Sequence, residues 1–241
     1  MASKQMKQGE WKTMKRILLV EDDEQVARVI LHYLSQEHDY QIEWAKDAKE
    51  AEKMAAGAVD LILLDICLPD VDGVELCAKL RETVYCPIIF VSCLDDESTI
   101  IRALETGGDD YITKPFSSKI LATRIEANLR RVRLEHEERS VPDSGMTEFG
   151  DFRLNCAMHT LERGKNVQHL APIEYSILLY FIRNANRIIS PDELYENIWG
   201  TPCFGDLRTV VTHVYNLRKM VDSEQKRHIC NVRGSGYCFI P

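Results

Sequence analysis

The sequence predicts two folded units in series. The first is a doubly wound α/β sheet of five βα repeats. The second is a smaller α+β unit with a helix-turn-helix and a two-stranded wing. Three observations carry this reading. Short apolar runs recur, each closed by polar residues: 16–20 into Glu21-Asp22-Asp23, 61–64 into Asp65, 87–91 into Ser92, and 110–113 into Lys114-Pro115. Runs of this length, bounded by breakers, read as strands buried on both faces. Stretches with helical spacing alternate with them, as parallel βαβ units require. Beyond Gly145 the pattern changes to short strands, three helices and a closing hairpin.

The elements follow in order. Residues 16–20 form the first strand, and a helix from near Asp23 carries Val26, Ile30, Leu31 and Leu34 on one face. A strand at 40–44 and a helix at 47–56 come next. The central strand, 60–64, must stop at Leu68-Pro69-Asp70. Asp72-Gly73 is a turn, and Leu76 and Leu80 face inward from a helix at 74–80. Residues 88–91 are a strand, and the helix at 98–105 ends at Gly107-Gly108. The last pair is a strand at 110–113 and a helix at 117–133. In the flavodoxin-like strand order 2-1-3-4-5, the switch point falls between strands 1 and 3, where open sheets place their ligands. Those strands end in Glu21-Asp22 and Asp65.

Composition narrows the function classes. A chain of 241 residues suits two domains. No apolar run approaches a membrane span, and residues 1–15 hold no apolar signal core, so a cytoplasmic protein with no membrane partner is expected. The eight cysteines show no Cys-x-x-Cys pair and no zinc spacing, which fits reduced, packed thiols. Residues 147–241 carry 11 basic and 10 acidic side chains against 19 and 28 in the remainder. An acidic first half with a locally basic tail fits a sensor joined to a nucleic-acid reader.

The strand ends define a chemistry. Glu21, Asp22 and Asp65 would repel one another unless a cation sat among them. Hard carboxylate oxygens suit Mg²⁺, and Lys114 and Ser92 can grip phosphoryl oxygens. A carboxylate can itself be the nucleophile and form an acyl phosphate. The edge therefore suits phosphoryl transfer to Asp65.

Val20-Glu21-Asp22-Asp23, Leu63-Leu64-Asp65-Ile66-Cys67-Leu68-Pro69-Asp70-Val71-Asp72-Gly73, Val91-Ser92, and Gly107-Gly108-Asp109-Asp110-Tyr111-Ile112-Thr113-Lys114-Pro115-Phe116 resemble the receiver domain of two-component response regulators. The resemblance spans roughly 15–131 and implies phosphoryl transfer from a histidine kinase to Asp65. It also implies that the main-chain carbonyl of Cys67 completes the Mg²⁺ site. It further implies a cis bond before Pro115 and a switch in which Ser92 moves to the phosphate and Tyr111 fills the space left.

Residues 104–111 with Ala122-Thr123-Arg124-Ile125 and Leu129-Arg130-Arg131 look like the OmpR/PhoB subgroup. There, active receivers pair through helix 4, strand 5 and helix 5. Glu105, Asp109 and Asp110 facing Arg124 and Arg131 fit that scheme as a dimer face. Ile100 and Ile120 depart from it, standing where the subgroup usually has a basic and an acidic partner. An exposed isoleucine pair there favours association even at rest.

Residues 1–14 read as an extension before the first strand, 132–146 as a charged then Ser/Pro/Gly-rich linker, and 147–241 as the second domain. That domain opens with strands at 148–154, 160–163 and 167–170. A helix at 173–184 places Ile177, Leu178 and Phe181 inward. Ser190-Pro191-Asp192-Glu193 starts a second helix ending at Trp199. Asp206 caps a third, 207–221, with Val210, Val214 and Leu217 as its core stripe. A hairpin, 229–232 and 237–240, closes the chain around Arg233-Gly234-Ser235-Gly236. Helix, turn, helix and wing form a DNA-reading arrangement. These motifs resemble the winged-helix output domain of the same subgroup, with Arg208, Thr209, Thr212, His213, Asn216, Arg218, Lys219 and Arg233 as DNA contacts. Val211 and Cys238 depart from the usual Asp and basic residue.

The expectation is a phosphorylation-dependent regulator that pairs on activation and binds promoter DNA, with RNA polymerase a further candidate partner. Catalysis is limited to its own Mg²⁺-dependent phosphorylation and dephosphorylation at Asp65. A haloacid-dehalogenase-like phosphatase would need an acid two residues after its nucleophile, where this chain has Cys67. A phosphorylation-independent DNA-binding regulator with a retained receiver fold rests on Ile100 and Ile120.

Overall fold

A computed structural model describes residues 14–37, 40–139, 145–202 and 207–241. Most of the expected extension, the Asp206 cap and the middle of the linker lie outside the described residues.

The first unit is a five-stranded sheet of order β2-β1-β3-β4-β5, with every neighbouring pair parallel. Its strands are β1 (Lys15–Val20), β2 (Tyr40–Ala45), β3 (Leu61–Leu64), β4 (Ile88–Ser92) and β5 (Asp110–Thr113). The helices α1 (Glu24–Glu37), α2 (Ala48–Ala55), α3 (Gly73–Arg81), α4 (Glu97–Glu105) and α5 (Ser118–Arg139) cover both faces. β3 and β4 are buried throughout because apolar layers lie on either side. Helix starts are capped as their sequences require. Asp47, Asp72 and Asp96 accept from Glu50, Val74 and Thr99 amides at the heads of α2, α3 and α4.

The second unit opens with an antiparallel meander, β6 (Met146–Phe149), β7 (Phe152–Asn155), β8 (Thr160–Arg163) and β9 (Asn166–His169). The single strand expected at 148–154 is thus a hairpin. Gly150 turns it at φ 50°, a left-handed conformation that glycine adopts without penalty. Three helices follow: α6 (Pro172–Arg183), α7 (Pro191–Trp199) and α8 (Arg208–Val221). Two-residue β10 (Ile188–Ile189), absent from the sequence reading, joins the wing strands β11 (Ile229–Val232) and β12 (Gly236–Phe239). The core of this unit is continuous from Phe149 through Phe181, Trp199 and Leu217 to Phe239.

α5 runs to Arg139, past its expected end near 133, so the first part of the expected linker is helix. The two units pack together, α4 lying along α8 and α5 against α7. Among the described residues no helix is long and apolar enough to cross a membrane.

Candidate functional site

The phosphoryl site is built at the carboxyl ends of β1, β3, β4 and β5. Asp65 is 6% exposed, and its Oδ1 accepts the amides of Ile66 at 2.6 Å and Cys67 at 3.2 Å. Gly73 makes this geometry fit, since a Cβ there would lie 2.1 Å from the Asp65 carbonyl oxygen. Lys114 Nζ bridges two carboxylates, 2.6 Å from Asp65 Oδ2 and 2.6 Å from Glu21 Oε2. Burial pushes Glu21 up to about 7, against the opposing pull of Lys114. Burial also opposes the charge on Lys114, but its bonds to Asp65 and Glu21 outweigh this and raise it.

Glu21, Asp22 and Asp65 bring one carboxylate oxygen each within 4.8 Å of one another. Three hard oxygen donors this close fit a small divalent cation. Glu21 and Asp65 are buried while Asp22 is exposed, so the cluster opens to solvent on one side. Cys67 stays on its rim, bridged to Asp72.

Ser92 is fully buried, its hydroxyl without a regular hydrogen bond among the described residues. Such a group is available to a phosphoryl oxygen. Tyr111 is 8% exposed and stacks beside Phe90, and its hydroxyl donates to the Leu94 carbonyl at 2.6 Å. Burial raises that hydroxyl to about 12. Leu94 lies in the loop that enters α4, so the predicted switch residue is tied to that helix. Lys114-Pro115 is cis, as expected.

The expected dimer face is occupied by the second unit. Asp109 is fully buried, and its Oδ1 accepts from Arg131 at 2.8 Å and from the Ile173 amide at 2.9 Å. Its Oδ2 accepts from Arg81 and from the Ile88 amide. Arg131 also donates to Ser176 Oγ at 3.1 Å. Arg124 pairs with buried Asp110 and donates to the Tyr195 hydroxyl. Arg130 donates to the Trp199 carbonyl at 2.8 Å, and Lys219 Nζ is 2.7 Å from Glu105. Ile100 is 2% exposed, packed in the core with Tyr111, whereas Ile120 is 44% exposed. The exposed isoleucine pair is therefore corrected: helical period turns Ile100 toward the sheet.

The expected DNA contacts divide sharply. Arg208 and Arg233 are exposed, Lys219 is exposed but paired with Glu105, and Arg218 holds Asp222 at 3.3 Å. Thr209, Thr212, His213 and Asn216 are not solvated as a surface helix implies; all are at most 5% exposed. His213 Nε2 donates to the Asp109 carbonyl across the interface. The sequence reading missed Glu174, Ser176 and Tyr195 as interface residues. The available signal was Glu174, an acid at the head of an otherwise apolar helix.

Comparison with known proteins agrees with this geometry. The family model "Response regulator receiver domain" matches residues 17–126, and "Transcriptional regulatory protein, C terminal" matches 164–239. The chain is 37% identical over 226 residues to the uncharacterized transcriptional regulatory protein YclJ of Bacillus subtilis, covering 93% of this chain and 98% of YclJ. It is 35% identical over 228 residues to the transcriptional regulatory protein SrrA of Staphylococcus aureus, covering 92% and 94%. A solved structure of a RitR mutant, 26% identical, superposes with a TM-score of 0.75 over 93% of this chain and 98% of that one. Receiver site, winged helix and whole-length likeness together place this chain in the OmpR/PhoB family of response regulators.

Proposed function

We propose that the chain is a phosphorylation-dependent transcription regulator working in the cytoplasm. A histidine kinase supplies the phosphoryl group. A carboxylate oxygen of Asp65 attacks phosphorus, the phosphorus–nitrogen bond of the phosphohistidine breaks, and the imidazole leaves with the electron pair. Glu21, Asp22, Asp65 and the main-chain oxygen of Cys67 would hold Mg²⁺, which supplies positive charge to the phosphoryl oxygens. Lys114 then turns from the carboxylates to the phosphate as a point charge. Ser92 donates its hydroxyl to the phosphate, and Tyr111 responds to the movement. The chain catalyses nothing further than formation and hydrolysis of its own acyl phosphate.

Activation pairs two receivers through α4, β5 and α5, and α8 and the wing then read promoter DNA, with RNA polymerase the downstream partner. The observation that carries this reading is Lys114 set between Asp65 and Glu21 at the strand ends, with the buried Ser92 at the end of the neighbouring strand. The test is a phosphate-affinity gel after incubation with acetyl phosphate, with and without Mg²⁺. A shifted band that needs Mg²⁺ and is absent in Asp65→Asn supports it. A band that persists in Asp65→Asn overturns the assignment. The phosphorylation-independent alternative loses its main support, since Ile100 is buried.

A further inference from the structure

The wing carries two cysteines that face each other. Cys230 of β11 and Cys238 of β12 are directly opposed partners in the antiparallel register. Among the described residues they are the only cysteines that lie within strands. Side chains alternate across a strand, and directly opposed residues share a face. Ile229 and Phe239, the next pair along, are fully buried in the domain core, so Cys230 and Cys238 lie on the other face, both half-exposed. Ile188 of β10 is the partner of Cys238 on its far side and is 48% exposed. The outer face of this three-stranded sheet thus presents the row Ile188, Cys238, Cys230. Both thiols are free, and Cys230 Sγ leans on the Arg227 carbonyl at 3.8 Å, a weak contact that a turn about χ1 gives up.

Opposed residues of an antiparallel pair have Cα atoms about 4.5–5.5 Å apart, inside the roughly 4.4–6.8 Å that a disulfide spans. Their Cβ atoms stand about 4.5–5.5 Å apart, against about 3.8 Å in a relaxed bridge. Closing the bond therefore draws the two strands together beneath the turn that carries Arg233, and leaves a bridge that is readily reduced again. Exposure separates this pair from thiols elsewhere. Burial pushes Cys77 and Cys86 up to about 12, which keeps them as unreactive thiols.

We propose that Cys230 and Cys238 form a reversible disulfide across the wing when the chain meets hydrogen peroxide, and that the closed bridge re-aims Arg233 and weakens DNA binding. The effect on binding rests on the assignment of the wing to DNA. One sulfur gives up its proton and attacks a peroxide oxygen; the O–O bond breaks, water leaves, and a sulfenic acid remains. The second sulfur attacks the first, the S–O bond breaks, and the hydroxyl leaves as water with the second thiol's proton. Two thiols are oxidised and one peroxide is reduced to two waters. A dithiol reductant reverses the change.

The test uses the full chain in three states: reduced, treated with hydrogen peroxide, and treated and then returned to dithiothreitol. Trypsin cuts after Arg227 and Arg233, so only a bridge holds together peptides 228–233 and 234–241. With free thiols alkylated, mass spectrometry should find that linked pair in the peroxide-treated chain and in neither other state. DNA binding is read by fluorescence anisotropy with labelled sheared genomic DNA at fixed low salt, after acetyl phosphate and Mg²⁺. The bridged chain should bind about tenfold more weakly, as expected for losing one charged contact, and recover under dithiothreitol. Cys230→Ser should stay unlinked and bind equally before and after peroxide, which assigns the loss to the bridge rather than to oxidation elsewhere. Treated wild type without the linked peptides overturns the proposal. So does a linked chain that binds DNA as the reduced chain does, or an equal loss in Cys230→Ser. If no state binds DNA, the wing's assignment to DNA fails instead, and the linked peptides alone decide the disulfide.

Discussion

His213, on the helix assigned to DNA reading, donates its Nε2–H to the main-chain carbonyl of Asp109 in the receiver at 3.3 Å. The same aspartate uses its carboxylate to hold Arg131, Arg81 and the first turn of α6. One buried residue thus joins the receiver's own helices, the output domain's first helix and the reading helix. Asp109→Ala should strip a counter-charge from two arginines and a cap from Ile173. Breaking a buried pair in this way costs about 3–5 kcal/mol. Urea denaturation should show a loss of that size; a loss below about 1 kcal/mol would mean the network is incidental.

Lys114→Ala should leave Glu21 and Asp65 without the cation now between them. Phosphorylation by acetyl phosphate should slow at least tenfold, an effect of about 1.4 kcal/mol or more on the barrier. The initial rate of band shift measures it, and an unchanged rate would remove Lys114 from the reaction.

Gly73→Ala tests the close approach of the α3 head to the Asp65 carbonyl. The added Cβ would meet backbone at 2.1 Å, which no rotamer relieves. Overpacking of this kind costs about 1–3 kcal/mol. Thermal unfolding should fall accordingly, and phosphorylation of Asp65 should fall with it. Wild-type behaviour in both would refute the contact.

Tyr111→Phe removes the hydroxyl that donates to Leu94 and nothing else. The direct loss is about 0.5–1.5 kcal/mol. If Tyr111 couples the phosphoryl site to α4, the variant should still be phosphorylated but show a smaller gain in DNA affinity. A normal gain would leave Tyr111 as a core aromatic.

Stability against pH should separate two buried groups of opposite sign. Burial holds His213 down at about 4. An unfolded histidine takes up a proton near pH 6.5, so His213 withdraws stability as pH falls from about 6.5 to 4. Burial raises Glu174 from 4.5 to about 7, and Asp109 adds to it. An unfolded glutamate ionises first, so Glu174 withdraws stability as pH rises from 4.5 to 7. The two slopes oppose each other in the wild type. In Glu174→Gln the urea midpoint should rise with pH from 4.5 to 6.5, and in His213→Gln it should fall. Slopes of the same sign in both variants contradict the assignment.

The receiver was legible because a parallel strand buried on both faces is an unbroken apolar run, and its end is where the chemistry stands. Glu21, Asp65, Ser92 and Lys114 converge as expected. The strands β6 and β7 were read as one because a single Gly150 marks the turn between them. The two residues of β10 carry no periodicity to detect. α5 ran on past 133 because its charged residues suit an exposed helix as well as a linker. The interface was hidden for a different reason. Thr212, His213 and Asn216 look the same whether water, a base pair or another domain lies opposite. Only the arrangement of the two units shows what covers them.

The second unit sits at the end of a short tether. Six residues, 140–145, separate the end of α5 from the start of β6. Two units joined by a connection this short meet at an effective concentration of roughly the millimolar range. On the proposed pairing, a neighbouring receiver would have to displace the second unit from Asp109, Arg124 and Arg131. If receivers pair through this face as proposed, pairing is a contest between an intramolecular and an intermolecular contact for the same residues. On that reading, the dose of phosphorylated protein needed to respond would depend on the length of this connection, which can change without touching either the phosphoryl site or α8.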